Sequence, residues 1–220
     1  MTKKIMFSDK FMLTKAVIEG RKTQTRRIIT PQPTYKDNCG ICWKGYAYGL
    51  NPIDFNEPFG SYMNFVTGTE YDKSCRRYRE GEVVAVAQSY RDCGYSENAL
   101  DISPKDYRIA RGTLGASKGW NNKMFVRSDA CKYRIRITNV RIQRLQDISD
   151  EDCLSEGVVK KWHAPAGKNY YYVPNIEVKT VADVYNTPQE AYAALIDKVG
   201  KKGDWDSNPY VWAYTFELVK

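Results

Sequence analysis

The chain has 220 residues, 42% apolar and 27% charged, which is long enough to bury a core and too apolar for an intrinsically disordered chain. Its net charge of +8 favours anionic partners such as nucleic acids or nucleotides. No apolar run approaches the roughly 20 residues that a membrane-spanning helix needs, and no apolar leader region follows Met1-Thr2-Lys3-Lys4. The expected compartment is therefore the cytoplasm, with no membrane contact, where Cys39, Cys42, Cys75, Cys93, Cys131 and Cys153 stay reduced.

The first expected element is a helix over Lys10 to Glu19, capped by Ser8 or Asp9. Leu13 and Val17, four apart, share its apolar face, and Gly20 stops it. Arg21 to Ile29 reads as a turn entering a strand that ends at Thr30-Pro31-Gln32-Pro33. Residues 34 to 78 carry Gly, Asn, Pro and many aromatics without periodicity, as short strands and loops do. Glu80-Gly81-Glu82 is a turn, followed by a buried strand from Val83 to Ala87. Residues 91 to 123 are polar and Gly-rich, the pattern of a long surface loop. From Tyr133 to Val140, Tyr133, Ile135 and Ile137 alternate with Arg134, Arg136 and Thr138, so the arginines line the opposite face of that strand. Ser149 with Asp152 caps a helix from Asp150 to about Glu156, stopped by Gly157. A further helix runs from Pro188 to Val199, and Tyr210 to Val219 is a final strand. The mixture predicts one α+β domain over residues 1 to 220, with a small closed or half-closed barrel hiding the sheet edges.

Four blocks carry a family resemblance. They are Phe7-Ser8 with Glu19-Gly20-Arg21-Lys22-Thr23-Gln24-Thr25-Arg26-Arg27; Tyr78-Arg79-Glu80-Gly81-Glu82-Val83-Val84; Arg134 to Arg141 with Leu145 to Asp152 and Ser155-Glu156-Gly157-Val158; and Asn208-Pro209-Tyr210-Val211-Trp212 with Phe216-Glu217. In this order they resemble the ASCH domain, in particular its phage and prophage branch. The chain departs from that branch at Glu82 in place of an Asp, at Gln88 where relatives often carry a Glu, and at Val126-Arg127-Ser128-Asp129 in place of a basic Pro-Arg segment. The resemblance implies a PUA-like small β-barrel with flanking short helices and long insertions. It also implies recognition of a modified nucleobase, in a nucleoside or a nucleic acid.

Small ASCH amidohydrolases remove the acyl group from N4-acetylcytidine with a Thr, a Lys and a Glu. Carried onto this sequence, the resemblance places these roles on Thr25, Lys22 and Glu156. A threonine hydroxyl needs a base to become a nucleophile, and an amine serves only if burial or nearby cations lower its pKa. Arg21, Arg26 and Arg27 flank Lys22 and, with Arg134 and Arg136, are the expected ligand-binding cations. Lys22 and Thr25 have opposite strand parity, so both face one cleft only if Lys22 sits in the turn after Gly20. The alternatives are a non-catalytic RNA- or DNA-binding module using the same cleft, and a phage accessory protein acting through a protein partner.

Cys39 and Cys42, with Cys75 as a third ligand, fall short of the four that structural zinc requires. No metal or other cofactor is expected, and His163 reads as a surface or loop residue rather than a catalytic base. Trp43, Tyr46, Tyr48, Trp120 and Tyr170-Tyr171-Tyr172 are candidates for base stacking or for ordinary packing.

Overall fold

A computed structural model of the chain describes residues 3–36, 40–43, 46–48, 62–64, 70–71, 77–102, 110–176 and 184–219; within 35–76 and at 102, 110 and 111 only the backbone is described. The architecture is mixed α+β. In chain order the elements are β1 (Lys4–Ile5), α1 (Leu13–Ile18), β2 (Gln24–Ile28), β3 (Thr34–Lys36), β4 (Gly40–Trp43), β5 (Tyr46–Tyr48), β6 (Tyr62–Asn64), β7 (Glu70–Tyr71), β8 (Val83–Val86), β9 (Leu100–Ile102), β10 (Ala110–Thr113), β11 (Arg134–Arg144), α2 (Asp150–Ser155), β12 (Val159–His163), β13 (Lys168–Tyr172), α3 (Pro188–Val199) and β14 (Tyr210–Val219).

The central sheet has the order β1-β8-β11-β14-β2. Only β1 and β8 pair in parallel; the other neighbours are antiparallel. Strands β3 to β7 form a separate meander, and β9–β10 and β12–β13 are two-stranded ribbons. Among the described residues no sheet closes on itself. The main core joins Ile5, Phe7, Leu13, Val17, Val84, Val86, Ile135, Ile137, Tyr214 and Phe216 to Tyr192 and Leu195 of α3. Among the described residues no helix is long and apolar enough to cross a membrane.

The strand expected to end at Val140 runs on to Arg144, paired with β14 throughout and crossing a β-bulge. Ile137 lies opposite Phe216, but Asn139 lies opposite Thr215, so Thr138 is an extra residue. A bulge reverses the alternation beyond it. Buried positions are 135 and 137 before it, and 140 and 142 after it. The turn at Glu80 supports the change, since the Glu80 carboxylate accepts the Val140 N–H at 3.0 Å.

Two further expectations are corrected. The first helix spans only Leu13–Ile18, and neither Ser8 nor Asp9 caps it with a side chain; Met12, at φ 54°, takes the capping position. Asp9 instead accepts from the Thr14 hydroxyl and pairs with Lys123. Residues 91–123 do more than loop over the surface: they include β9, and Leu114 packs with Ala85, Tyr90, Val126, Ala130 and Cys131 in a second small core. The hairpin β12–β13 carries no clean apolar alternation, so local patterning does not mark it. The helices at Asp150 and Pro188 and the final strand lie where the sequence puts them, with Ser149 and Thr187 as caps. Cys39 and Cys75 lie outside the described residues, and Cys42, Trp43, Tyr46 and Tyr48 are described by backbone alone.

Candidate functional site

The segment leaving α1 is held by its backbone. The Arg21 and Lys22 N–H groups both donate to Ala16 O, at 2.9 and 3.0 Å. Thr23 then donates to Ser155 O at the end of α2 and accepts from the Phe216 N–H of β14. Lys22 therefore sits in the turn before β2, not on the strand, which frees it from the strand's alternation. Its stem passes Gly157, whose φ of +109° suits glycine; an added Cβ would lie 2.9 Å from Leu13 Cδ2 and 3.8 Å from Lys22 Cδ.

Helix α2 supplies two carboxylates. Asp152 and Glu156 are four residues apart and so share a face. The Lys22 ammonium donates to Glu156 Oε2 at 2.6 Å and to Glu156 O at 2.7 Å. Arg26 donates to Glu156 Oε1 at 3.0 Å and to Asp152 Oδ2 at 2.6 Å. Arg141 reaches the same Asp152 oxygen at 2.5 Å, and Gln24 donates to Asp152 Oδ1 at 2.6 Å. Arg26 and Arg141 both lie opposite Ala213, on either side of β14. The bulge at Thr138 puts Arg141 in that row; in unbroken register Arg141 would face the other side of the sheet.

The side chains of Lys22, Arg26 and Glu156 are 2%, 0% and 4% exposed. Burial pulls the Lys22 ammonium below its ordinary 10.5; Glu156 opposes this, and Arg27 and Arg26 reinforce it. For Glu156 burial acts upward, but Lys22 and Arg26 together outweigh it and hold the carboxyl below its ordinary 4.5. The Tyr192 hydroxyl of α3 is buried, and among the described residues it has no partner at hydrogen-bond geometry. Burial, and then the Glu156 charge, raise it well above its ordinary value, so it stays neutral.

Thr25 is buried and lies opposite Tyr214. By alternation it faces the same side of β2 as Arg27, whose guanidinium lies 6.0 Å from the Phe7 ring centre. The Lys22 ammonium lies 5.8 Å from that ring. Arg27 and Lys22 thus flank the Phe7 ring, and the Lys22 ammonium directs its hydrogen bonds to Glu156. The remaining expected cations lie apart. Arg21 pairs with Glu19 at 2.6 Å, Arg134 donates to Cys131 O, and Arg136 pairs with Glu217 at 3.2 Å at the far end of β11.

Sequence reasoning thus selected Lys22, Arg26 and Glu156 but left out Asp152, Arg141, Gln24 and Tyr192. The signal for Asp152 was its four-residue spacing from Glu156. Compared with protein-family models, with curated proteins and with solved structures, the chain matches none.

Proposed function

We propose that this chain is an ASCH-like protein that holds a modified nucleobase beside Phe7 and hydrolyses an N-acyl amide of the N4-acetylcytidine type. The observation that carries this reading is the buried pair of Lys22 with Glu156, 134 residues apart in sequence, next to the strand that bears Thr25. Buried ion pairs contribute little to stability compared with apolar residues of the same size, and buried groups with shifted pKa values mark functional sites. In this reading the Thr25 hydroxyl oxygen attacks the acyl carbon as its proton passes to the Lys22 amine. Glu156 orients Lys22 and relays to the leaving amine nitrogen the proton that Lys22 has taken from Thr25, so that the Lys22 amine and the Glu156 carboxylate both return to their starting states. Water then cleaves the acyl-threonine ester, releasing the acid and restoring the hydroxyl.

The PUA-like barrel belongs to the same proposal. It is supported by the approach of the two edges of the central sheet, where Arg27 on β2 donates to Met6 O just beyond β1. A second reading, a non-catalytic nucleobase-binding module, is favoured by one observation. Lys22 gives two hydrogen bonds to Glu156, which stabilise the ammonium that a base must lose.

The test is the absorbance change of N4-acetylcytidine incubated with the protein. Wild type turns it over, while Thr25→Ala and Lys22→Ala each abolish hydrolysis and their double variant is scarcely worse. Undiminished hydrolysis by Thr25→Ala rejects the nucleophile. Nucleoside binding without turnover selects the binding module.

A further inference from the structure

The β12–β13 ribbon lies outside the Lys22 site and has a composition of its own. From Val159 to Tyr172 it contains Lys160, Lys161 and Lys168 and not one carboxylate. Its register places Lys161 opposite Tyr170, His163 opposite Lys168 and Val159 opposite Tyr172. Residues directly opposite share a face, as do alternate residues along a strand. His163, Tyr170 and Tyr172 therefore form a row on one face, flanked by Lys161 and Lys168. The ring contacts agree: His163 to Tyr170 and Tyr170 to Tyr172 are each 6.1 Å between centres.

On the opposite face Trp162 is 58% exposed and Tyr171 anchors the ribbon. Tyr171 packs against the main core and pairs through its backbone with Tyr185. A two-stranded ribbon is marginal in water alone and needs such support. Tyr170 and Tyr172 are absent from the set of residues packed on the core. The three rings in a row are half-buried and are bordered by the exposed Lys161 and Lys168, the latter donating to Asn186 Oδ1 at 3.0 Å.

We infer that this face is a binding surface for single-stranded nucleic acid, with the His163–Tyr170–Tyr172 row stacking successive bases and Lys161 and Lys168 meeting the phosphates. Rings stack on any base, and lysines with no competing carboxylate on the ribbon suit a polyanion. This surface extends the nucleobase reading from a single base to a strand. It does not depend on hydrolysis at Lys22.

The experiment is fluorescence anisotropy of labelled, unmodified 15-residue oligonucleotides with the full chain, in RNA, DNA and duplex arms. Single strands bind, and tighter binding of RNA or of DNA identifies the physiological strand. Tyr170→Ala and Tyr172→Ala each weaken binding by roughly 5- to 150-fold, while Tyr170→Phe and Tyr172→Phe restore it because the ring face survives. Lys161→Ala and Lys168→Ala each lower the slope of log K against log salt by about 0.7. Circular dichroism confirms that each variant is folded. The inference is overturned if single strands do not bind, if duplex binds as tightly, or if the Tyr170→Ala/Tyr172→Ala double variant binds like wild type. Because the probes carry no acyl group, failure here leaves the hydrolysis assay unaffected, and failure of hydrolysis leaves this measurement unaffected.

Discussion

Replacing Glu156 with glutamine is the sharpest test of the buried cluster. Three cations (Lys22, Arg26 and Arg141) face two carboxylates, Asp152 and Glu156. In Glu156→Gln the same three cations face one. The glutamine amide keeps one acceptor oxygen for either Lys22 or Arg26 and turns an NH2 group toward the other, and Lys22 is 2% exposed, so water cannot replace the lost oxygen. Breaking a buried pair by removing one partner costs about 3–5 kcal/mol, a large share of a typical stability of about 5–15 kcal/mol. Lys22→Met behaves differently. It keeps the packed stem, leaves two cations against two carboxylates, and leaves Glu156 held by Arg26 at 3.0 Å. Its cost is about 1–3 kcal/mol, from the two Glu156 oxygens that lose their donor. The double variant is less destabilised than the sum of the single ones, with a coupling of about 0.5–3 kcal/mol. Urea denaturation at neutral pH, followed by circular dichroism, reads all three midpoints at constant slope. If Lys22→Met is as destabilising as Glu156→Gln, charge balance does not govern this cluster and the reasoning fails.

Acid should act through the same carboxylates. Glu156 and Asp152 titrate below their ordinary 4.5 and 3.8 in the folded chain, so their contribution is complete above those values and is lost as pH falls through the lower folded ones. Urea midpoints measured from neutral pH down to about pH 3 fall steeply in wild type and less steeply in Glu156→Gln. Gly157→Ala forces a side chain into φ +109° and against Leu13, at a cost of about 1–3 kcal/mol, seen as a lowered thermal midpoint. Arg136→Ala removes an ion pair whose partners are 49% and 56% exposed, and shifts the urea midpoint by less than the equivalent of about 1 kcal/mol.

Local rules were enough to locate the helices at Asp150 and Pro188, the strand at Tyr210 and the turn at Glu80, because capping residues, glycines and apolar periodicity act within a few residues. They failed where a neighbour overrides the local pattern. The alternation of Ile135 and Ile137 breaks at Thr138, and without β14 alongside, the sequence gives no sign that Val140 and Ile142 resume it on shifted parity. The opening helix is likewise shorter than its apolar spacing implies. Lys123, more than a hundred residues away, takes the Asp9 carboxylate that would have capped it.

At the site the division is similar. From the sequence alone, Lys22, Thr25 and Glu156 can be selected through the ASCH-like blocks, and Lys22 can be assigned to the turn by parity. That Lys22 and Arg26 share Glu156, that Arg141 joins Arg26 on Asp152, and that the buried Tyr192 hydroxyl feels the Glu156 charge were decided by tertiary structure. That Arg134 and Arg136 lie away from the cluster was decided there too. The physical reason is that charge and parity are properties of residues and strands, whereas burial and ion pairing depend on which distant segments the sheet brings together. Here a single bulge sets which arginine of β11 faces α2.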